Sequence, residues 1–418
     1  MRLFRLELKR ILKSRRTIIL LVIALLLSVA MAYLPISFEG INRPNEDGTV
    51  TELDGLAAIK YKKDFYETSA GEVTPDRIKA ALGTYQSCVQ KYGPVEEKGF
   101  PLTLYIEKIL PIRPLLKGLS EAFADPLTGV GADLMDINPD DIDQAYYEKC
   151  AEHLQDVMRN EQGKYETAQQ KALEKYSGVY KPFYLHSGIS KDAFDYIEFY
   201  ILFLAILCVA IAAPTFAGEY QTGGDSILRT TKHGRTRLAV TKILAAFTLF
   251  IVTFLVGVTV HILILNAAFG TDCLKTSFQM LYSIINLPNI NLGQLQIILA
   301  AVGLLSVLAT ISCTLFLSAK CKDTLTVLLI SIVVLLLPLF AYVAMGATWL
   351  SAILPSAILP SAGIGMQNNF LYQLANFNYL HIGGMSFWTP HVILLSAGIE
   401  LFVFTFLAIH SYCRHQVA

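Results

Sequence analysis

The sequence predicts an all-α integral membrane protein: six transmembrane helices, a helical extracytoplasmic domain, and a short apolar segment before the last span. Three observations carry that prediction. Of 418 residues, 54% are hydrophobic and only 16% charged, with a mean hydropathy of +0.48, which is more apolar than soluble globular usage allows. Six nearly charge-free stretches reach the roughly 20 residues that a helix needs to cross a bilayer core about 30 Å thick. The polar remainder carries apolar residues at helical spacing, with no alternating strand pattern.

Taken in order, residues 1 to 16 read as a cytoplasmic amphipathic elbow helix, with Leu3, Leu6, Leu8 and Ile11 among basic residues. The spans fall near residues 17 to 36, 197 to 217, 243 to 266, 295 to 318, 324 to 346 and 391 to 410. The first has a competitor, since a basic start, an apolar run and the triplet Ala30-Met31-Ala32 also suit a cleaved secretory signal. The run continues through Tyr33, Leu34 and Ile36, which favours an uncleaved anchor. The segment near 347 to 366, proline-broken by Pro355 and Pro360, is too short to span.

Lys and Arg orient the bundle. With the N-terminus cytoplasmic, that side receives fifteen basic residues, from Arg2 through Arg229, Lys232, Arg235, Arg237, Lys242, Lys320 and Lys322 to Arg414. The opposite side receives only Lys275. The reading is therefore a multi-pass protein of the cell membrane with both termini inside and residues 37 to 196 outside. The formal net charge is zero, yet residues 37 to 194 hold 26 acidic and 18 basic residues. An acidic soluble region is spliced to a basic apolar one, so lipid and other proteins, not nucleic acid, are the expected partners.

The outer domain reads as helical. Thr74-Pro75 offers a cap and an N1 proline, after which Ile78, Ala81, Leu82, Tyr85, Cys88, Val89 and Tyr92 recur on one face. Asn138-Pro139-Asp140-Asp141 is a second start, leading a stripe from Ile142 to Tyr176 that would make one helix about 50 to 60 Å long unless Gly163 breaks it. Shorter helices are expected near 52 to 69 and 101 to 120. Cys88 and Cys150, the domain's only cysteines, are either bridged or two small core hydrophobes.

No catalytic or metal motif is present: G-x-x-x-x-G-K-[ST], H-E-x-x-H, C-x-x-C and G-x-S-x-G are all missing from the sequence. The terminal His410, Cys413 and His415 read as a cytoplasmic tail and not as a metal site. Polar residues inside spans are expensive in lipid. Glu400 in the last span, and His261 with Asn266 in the third, are read either as pathway contacts or as interhelical glue. Asp195 and Glu198, at the mouth of the second span, read as interfacial.

Residues 216 to 242, FAGEYQTGGDSILRTTKHGRTRLAVTK, are the most informative. They leave the second span through Glu219, turn at Gly223-Gly224, offer a short helix at Asp225 to Thr231, and return through Arg235, Arg237 and Lys242. This segment resembles the permease subunit of the type-2 ABC exporter family, with Glu219, Gly223, Arg235 and Lys242 matching in order and spacing. The resemblance extends to residues 1 to 16, similar to the family's amphipathic elbow helix, and to the segment near 347 to 366, which resembles its re-entrant half-helices before the last span. It implies an ATPase-coupling role for Glu219, Gly223, Asp225, Arg229, Arg235 and Lys242. It implies two separate ABC ATPase subunits, which would hold ATP and Mg, a second permease copy or a related one, and no cofactor on this chain. The expected function is export of an amphipathic or lipid-like compound, such as a drug or antimicrobial peptide. The alternatives are a membrane sensor whose outer domain binds a ligand, for which no cytoplasmic effector domain is evident, and an ion-coupled carrier, for which paired intramembrane charges are not.

Overall fold

A computed structural model of the chain describes residues 2–45, 49–97, 99–143, 146–230, 234–346, 353 and 370–415. It opens with α1 (Arg2–Lys13) and α2 (Arg15–Ser37). A head follows, built from β1 (Gly40–Pro44), β2 (Val50–Asp54), α3 (Gly55–Thr68), β3 (Gly71–Glu72), α4 (Pro75–Tyr92), α5 (Leu102–Leu104), α6 (Arg113–Ala122), α7 (Tyr146–Glu161), α8 (Glu166–Ser177) and β4 (Tyr184–Leu185). The chain then runs through α9 (Asp192–Ala212), α10 (Pro214–Thr222), α11 (Gly224–Thr230), α12 (Thr236–Phe269), α13 (Phe278–Leu281), α14 (Leu292–Lys320) and α15 (Thr324–Met345). A short helix (Phe370–Leu374), the hairpin β5 (Tyr379–Ile382) and β6 (Met385–Trp388), and a final helix (Thr389–Arg414) complete it.

Five helices among the described residues are long and apolar enough to cross a membrane: Arg15–Ser37, Asp192–Thr222, Thr236–Phe269, Leu292–Lys320 and Thr389–Arg414. They fall on five of the six expected spans. The remaining one falls on α15, 22 residues long with Pro338 inside it. The expected re-entrant segment near 347–366 lies outside the described residues apart from Ile353.

The helix boundaries follow local chemistry. Thr74 accepts the Arg77 N–H, Pro75 opens α4, and Gly93, at φ 85°, ends it. At the start of α14, Asn291 and Gln294 form a reciprocal capping box at 2.8 and 2.9 Å. The single rod from 138 to 176 is not formed. Asn138 caps only the 3-10 turn Pro139–Asp141, and the helix that starts at Tyr146 stops at Glu161. The chain turns at Gly163, where a Cβ would lie 2.7 Å from the Arg159 carbonyl oxygen and only glycine fits without a shift, and resumes as α8. The apolar stripe survives as two shorter buried faces, Tyr146-Cys150-Leu154-Met158 and Ala168-Ala172-Tyr176.

Strands, which the sequence pattern did not predict, occur among the described residues as three two-stranded antiparallel sheets: the β1–β2 and β5–β6 hairpins, and β3 paired with the distant β4. β1 and β2 read GINRP and VTELD, too polar to alternate. The β5–β6 hairpin closes through Gly383 and Gly384, with φ of 56° and 82°, values open to glycine. The Cys88–Cys150 bridge is not formed; both thiols are free, and burial pushes Cys150 up to about 12.

The head packs on one end of the bundle. The Tyr176 hydroxyl donates to the Ile284 carbonyl at 2.9 Å, and the Glu121 carboxylate accepts from Ser283 and from the Ile284 N–H, both in the connection between α12 and α14. The opposite end gathers α1, α10, α11 and the C-terminal turn of the final helix. Along the bundle, α9 is the central element, buried at Tyr200, Ile201, Ala205 and Cys208. Its neighbours approach through glycine: a Cβ at Gly303 would overlap Ile201, and one at Gly257 would overlap the Tyr200 hydroxyl.

Candidate functional site

The end of the bundle away from the head is organised by a proline. Pro214 has no N–H, so the carbonyl of Ala210, one turn earlier, loses its helical partner. Arg16 supplies one, donating to the Ala210 oxygen at 3.1 Å. Ser318 of α14 deals with the rest of the break: its hydroxyl donates to the Ala213 carbonyl at 2.7 Å and accepts from the Phe216 and Ala217 N–H groups at 3.0 and 3.1 Å. The step from α9 to α10 is therefore a fixed bend with its backbone groups satisfied.

Beyond the bend, α10 is lashed to the turn between α14 and α15. Tyr220 donates to the Ala319 carbonyl at 3.2 Å, and Gln221 bonds Asp323 at 2.6 Å and Thr324 at 2.9 Å. Gly223 then reverses the chain in the left-handed region, φ 67° and ψ 7°. This releases the seven-residue α11, in which Asp225 is buried while Ile227 is 72% exposed. An exposed isoleucine on a helix this short is a knob without a socket among the described residues. The return passes through an exposed Arg235 into α12. Residues 231–233 and the Arg229 side chain lie outside the description.

Four charges lock this hairpin. Glu219, at the end of α10, pairs with Lys242 in the first turns of α12 and with Arg10 of α1. Arg10 also reaches Glu7 at 2.9 Å, and Glu7 lies 3.7 Å from Lys242. Lys242 is fully buried, its ammonium 5.9 Å from the Phe216 ring. Two acids and two bases make the cluster neutral, which is what allows a lysine to be withdrawn from water. The final helix covers the same hairpin: Phe216 and Tyr412 have ring centroids 5.0 Å apart, Tyr412 donates to the Gly234 carbonyl at 3.4 Å, and His415 stacks on Tyr220 at 4.1 Å. His410, Cys413 and His415 face Phe406, Thr236 and Tyr220 respectively, three separate neighbours.

Of the residues the sequence singled out, Glu219, Gly223, Asp225, Arg235 and Lys242 are thus brought into one structure. Glu7, Arg10, Arg16 and Ser318 were missed, and only the i, i+3 spacing of Glu7 and Arg10 could have signalled any of them. The intramembrane candidates lie elsewhere and apart. Asn266 and the Gln296 amide bond each other reciprocally at 3.1 and 2.9 Å, linking α12 to α14. His261 stacks on Tyr200 with centroids 5.6 Å apart. Glu400 is half-buried on the final helix, one carboxylate oxygen buried without a hydrogen-bond partner among the described residues. Glu198, six residues into α9, is 3% exposed and accepts the Leu371 N–H at 3.1 Å.

A bundle of long apolar helices whose second and third members are joined by a charge-locked hairpin has the architecture of a multi-pass membrane protein. Residues 1–410 match the family model described as ABC-2 family transporter protein, and the chain belongs to that family. It is a membrane permease component of an ABC transporter. No curated protein and no solved structure matches the chain.

Proposed function

We propose that this chain is the permease half of an ATP-driven exporter, with ATP and Mg held by two separate ABC ATPase subunits docked on the α10–α11 hairpin. A second copy of the chain, or a related permease, completes the complex. In this reading the hairpin end and both termini are cytoplasmic, residues 37–196 lie outside the cell membrane, and the cargo is an amphipathic or lipid-like compound such as a drug or antimicrobial peptide.

The observation that carries the reading is the charge cluster of buried Glu219, Lys242 and Glu7 with the more exposed Arg10. It makes α10, the start of α12 and α1 one rigid body, so a push on α11 is delivered to the second and third spans together. Exposed Ile227 and Arg235 give an ATPase an apolar knob and a positive charge to grip. No bond chemistry is asked of the permease.

Affinity purification of the chain from its native membrane tests the reading. The expected result is recovery of an ABC ATPase in equal number, ATP hydrolysis by the complex, and loss of both on changing Ile227→Asp together with Arg235→Glu. A folded chain recovered alone, and inert toward ATP, would overturn it.

A further inference from the structure

A cavity of about 340 Å³ lies where the head meets the final helix, lined by Lys171 and Lys175 of α8, Tyr379 and Trp388 of the hairpin, and His391 and Leu395 of the final helix. Three features distinguish it. First, its charge is of one sign: no aspartate or glutamate lines it, in a head that carries a net excess of acid. Second, the cations are held in place by rings and backbone and not by carboxylates. Lys175 lies 3.4 Å from the centroid of the Trp388 ring, and Lys171 donates to the Ser386 carbonyl at 2.8 Å with the Phe387 ring 5.6 Å away. Third, Trp388 is 93% buried, and its indole N–H has no acceptor among the described residues.

The cost of this arrangement is visible at Lys175, whose ammonium burial pushes down to about 8. A counter-anion would restore its usual range. The place decides what kind of anion. The cavity is at the first turns of a membrane-crossing helix, beside an indole of the sort that sits at the headgroup level, and its wall continues down to Leu395, which is 67% exposed on that helix. A headgroup phosphate beside the lysines would thus leave its acyl chains against Leu395 and neighbouring Val392.

We propose that the Lys171–Lys175–Trp388–His391 cavity binds the phosphate of an anionic phospholipid in the leaflet on the head side of the bilayer. The Lys175 ammonium lies over the Trp388 ring and the Lys171 ammonium on the Ser386 carbonyl, and each keeps N–H donors for the phosphate, as basic pockets between membrane helices do with acidic lipids. The proposal rests on the final helix crossing the bilayer and is independent of any ATPase or cargo.

The chain's two tryptophans make the test direct. In a Trp349→Phe variant, Trp388 is the sole indole, and it is read by fluorescence in phosphatidylcholine nanodiscs doped with brominated phosphatidylglycerol or brominated phosphatidylcholine. The expected result is half-quenching at about ten-fold lower mole fraction of the anionic lipid, with the preference abolished in Lys171→Gln/Lys175→Gln and kept in Lys175→Arg. Equal quenching by both lipids, or a preference unchanged in the double glutamine variant, would overturn the proposal. Inorganic phosphate is the second arm: failure to displace the brominated lipid at millimolar concentration supports a lipid site, and full displacement would overturn the lipid assignment in favour of a free-anion site. None of these readouts involves ATP or transport, so they stand or fall apart from the exporter reading.

Discussion

The hydroxyl of Tyr200 occupies the space that a side chain at position 257 would need. The contact sets how closely α9 and α12 approach, and any larger residue at 257 must displace the tyrosine, which is 1% exposed. Gly257→Ala should lower stability by about 1 to 3 kcal/mol, as overpacking does, read as a fall in the detergent melting temperature. Adding Tyr200→Phe should recover part of the loss, because the clashing oxygen is gone. Additive losses in the double variant would show that the two positions do not meet.

Glu219→Ala leaves Lys242 and Arg10 facing Glu7 alone, in a site where Lys242 has no access to water. Removing one partner of a buried pair costs about 3 to 5 kcal/mol, whereas replacing both by apolar residues of similar volume is often neutral. Thermal unfolding should therefore place Glu219→Ala and Lys242→Ala well below the native protein, and Glu219→Leu/Lys242→Met close to it. Transport should be lost in all three, since the rescued variant regains packing but not the charge lock to Arg10.

Ser318→Ala removes one hydroxyl that serves three backbone groups at the Pro214 bend. Leaving buried polar groups unsatisfied costs about 1 to 3 kcal/mol. The substitution should lower the melting temperature and raise amide exchange at residues 216 and 217 specifically, while leaving exchange in the head unchanged. Uniform exchange across the bundle would mean that the bend does not depend on this side chain.

Alkylation at pH 8 without reductant should modify Cys88 and spare Cys150. Cys150 is completely buried and its thiol is pushed up to about 12, so almost none is thiolate at that pH. Peptide mapping with and without prior reduction should give the same result. Modification of Cys88 only after reduction would reveal a bridge.

Where the sequence predicted well, a local cause sufficed. Thr74-Pro75, the apolar spans and the Gly223 turn each depend on residues within one turn of the chain, and each stands where the pattern put it. The failures have the opposite origin. The head's strands are two to five residues of mixed polarity that pair because the chain ends of their neighbours bring them together, and nothing in GINRP announces a ladder. The stripe from Ile142 to Tyr176 is truly helical in period, but steric demand at Gly163 outweighs periodicity. The functional hairpin was legible through Glu219 and Lys242. Its partners on α1 and α14 were not, because long-range charge and hydroxyl complementarity leave no spacing to read.

The charge lock also has a history in time. Arg10 precedes Glu219 by 209 residues, which at about 5 to 20 residues per second is some 10 to 40 seconds of synthesis. Throughout that interval the amino-terminal helix can pack on α2 and pair Arg10 with Glu7, but it lacks Glu219 and Lys242. The cluster therefore closes only once the second and third spans are made, and a chain in which those spans are threaded in the wrong sense would leave two carboxylates and a lysine without their partners.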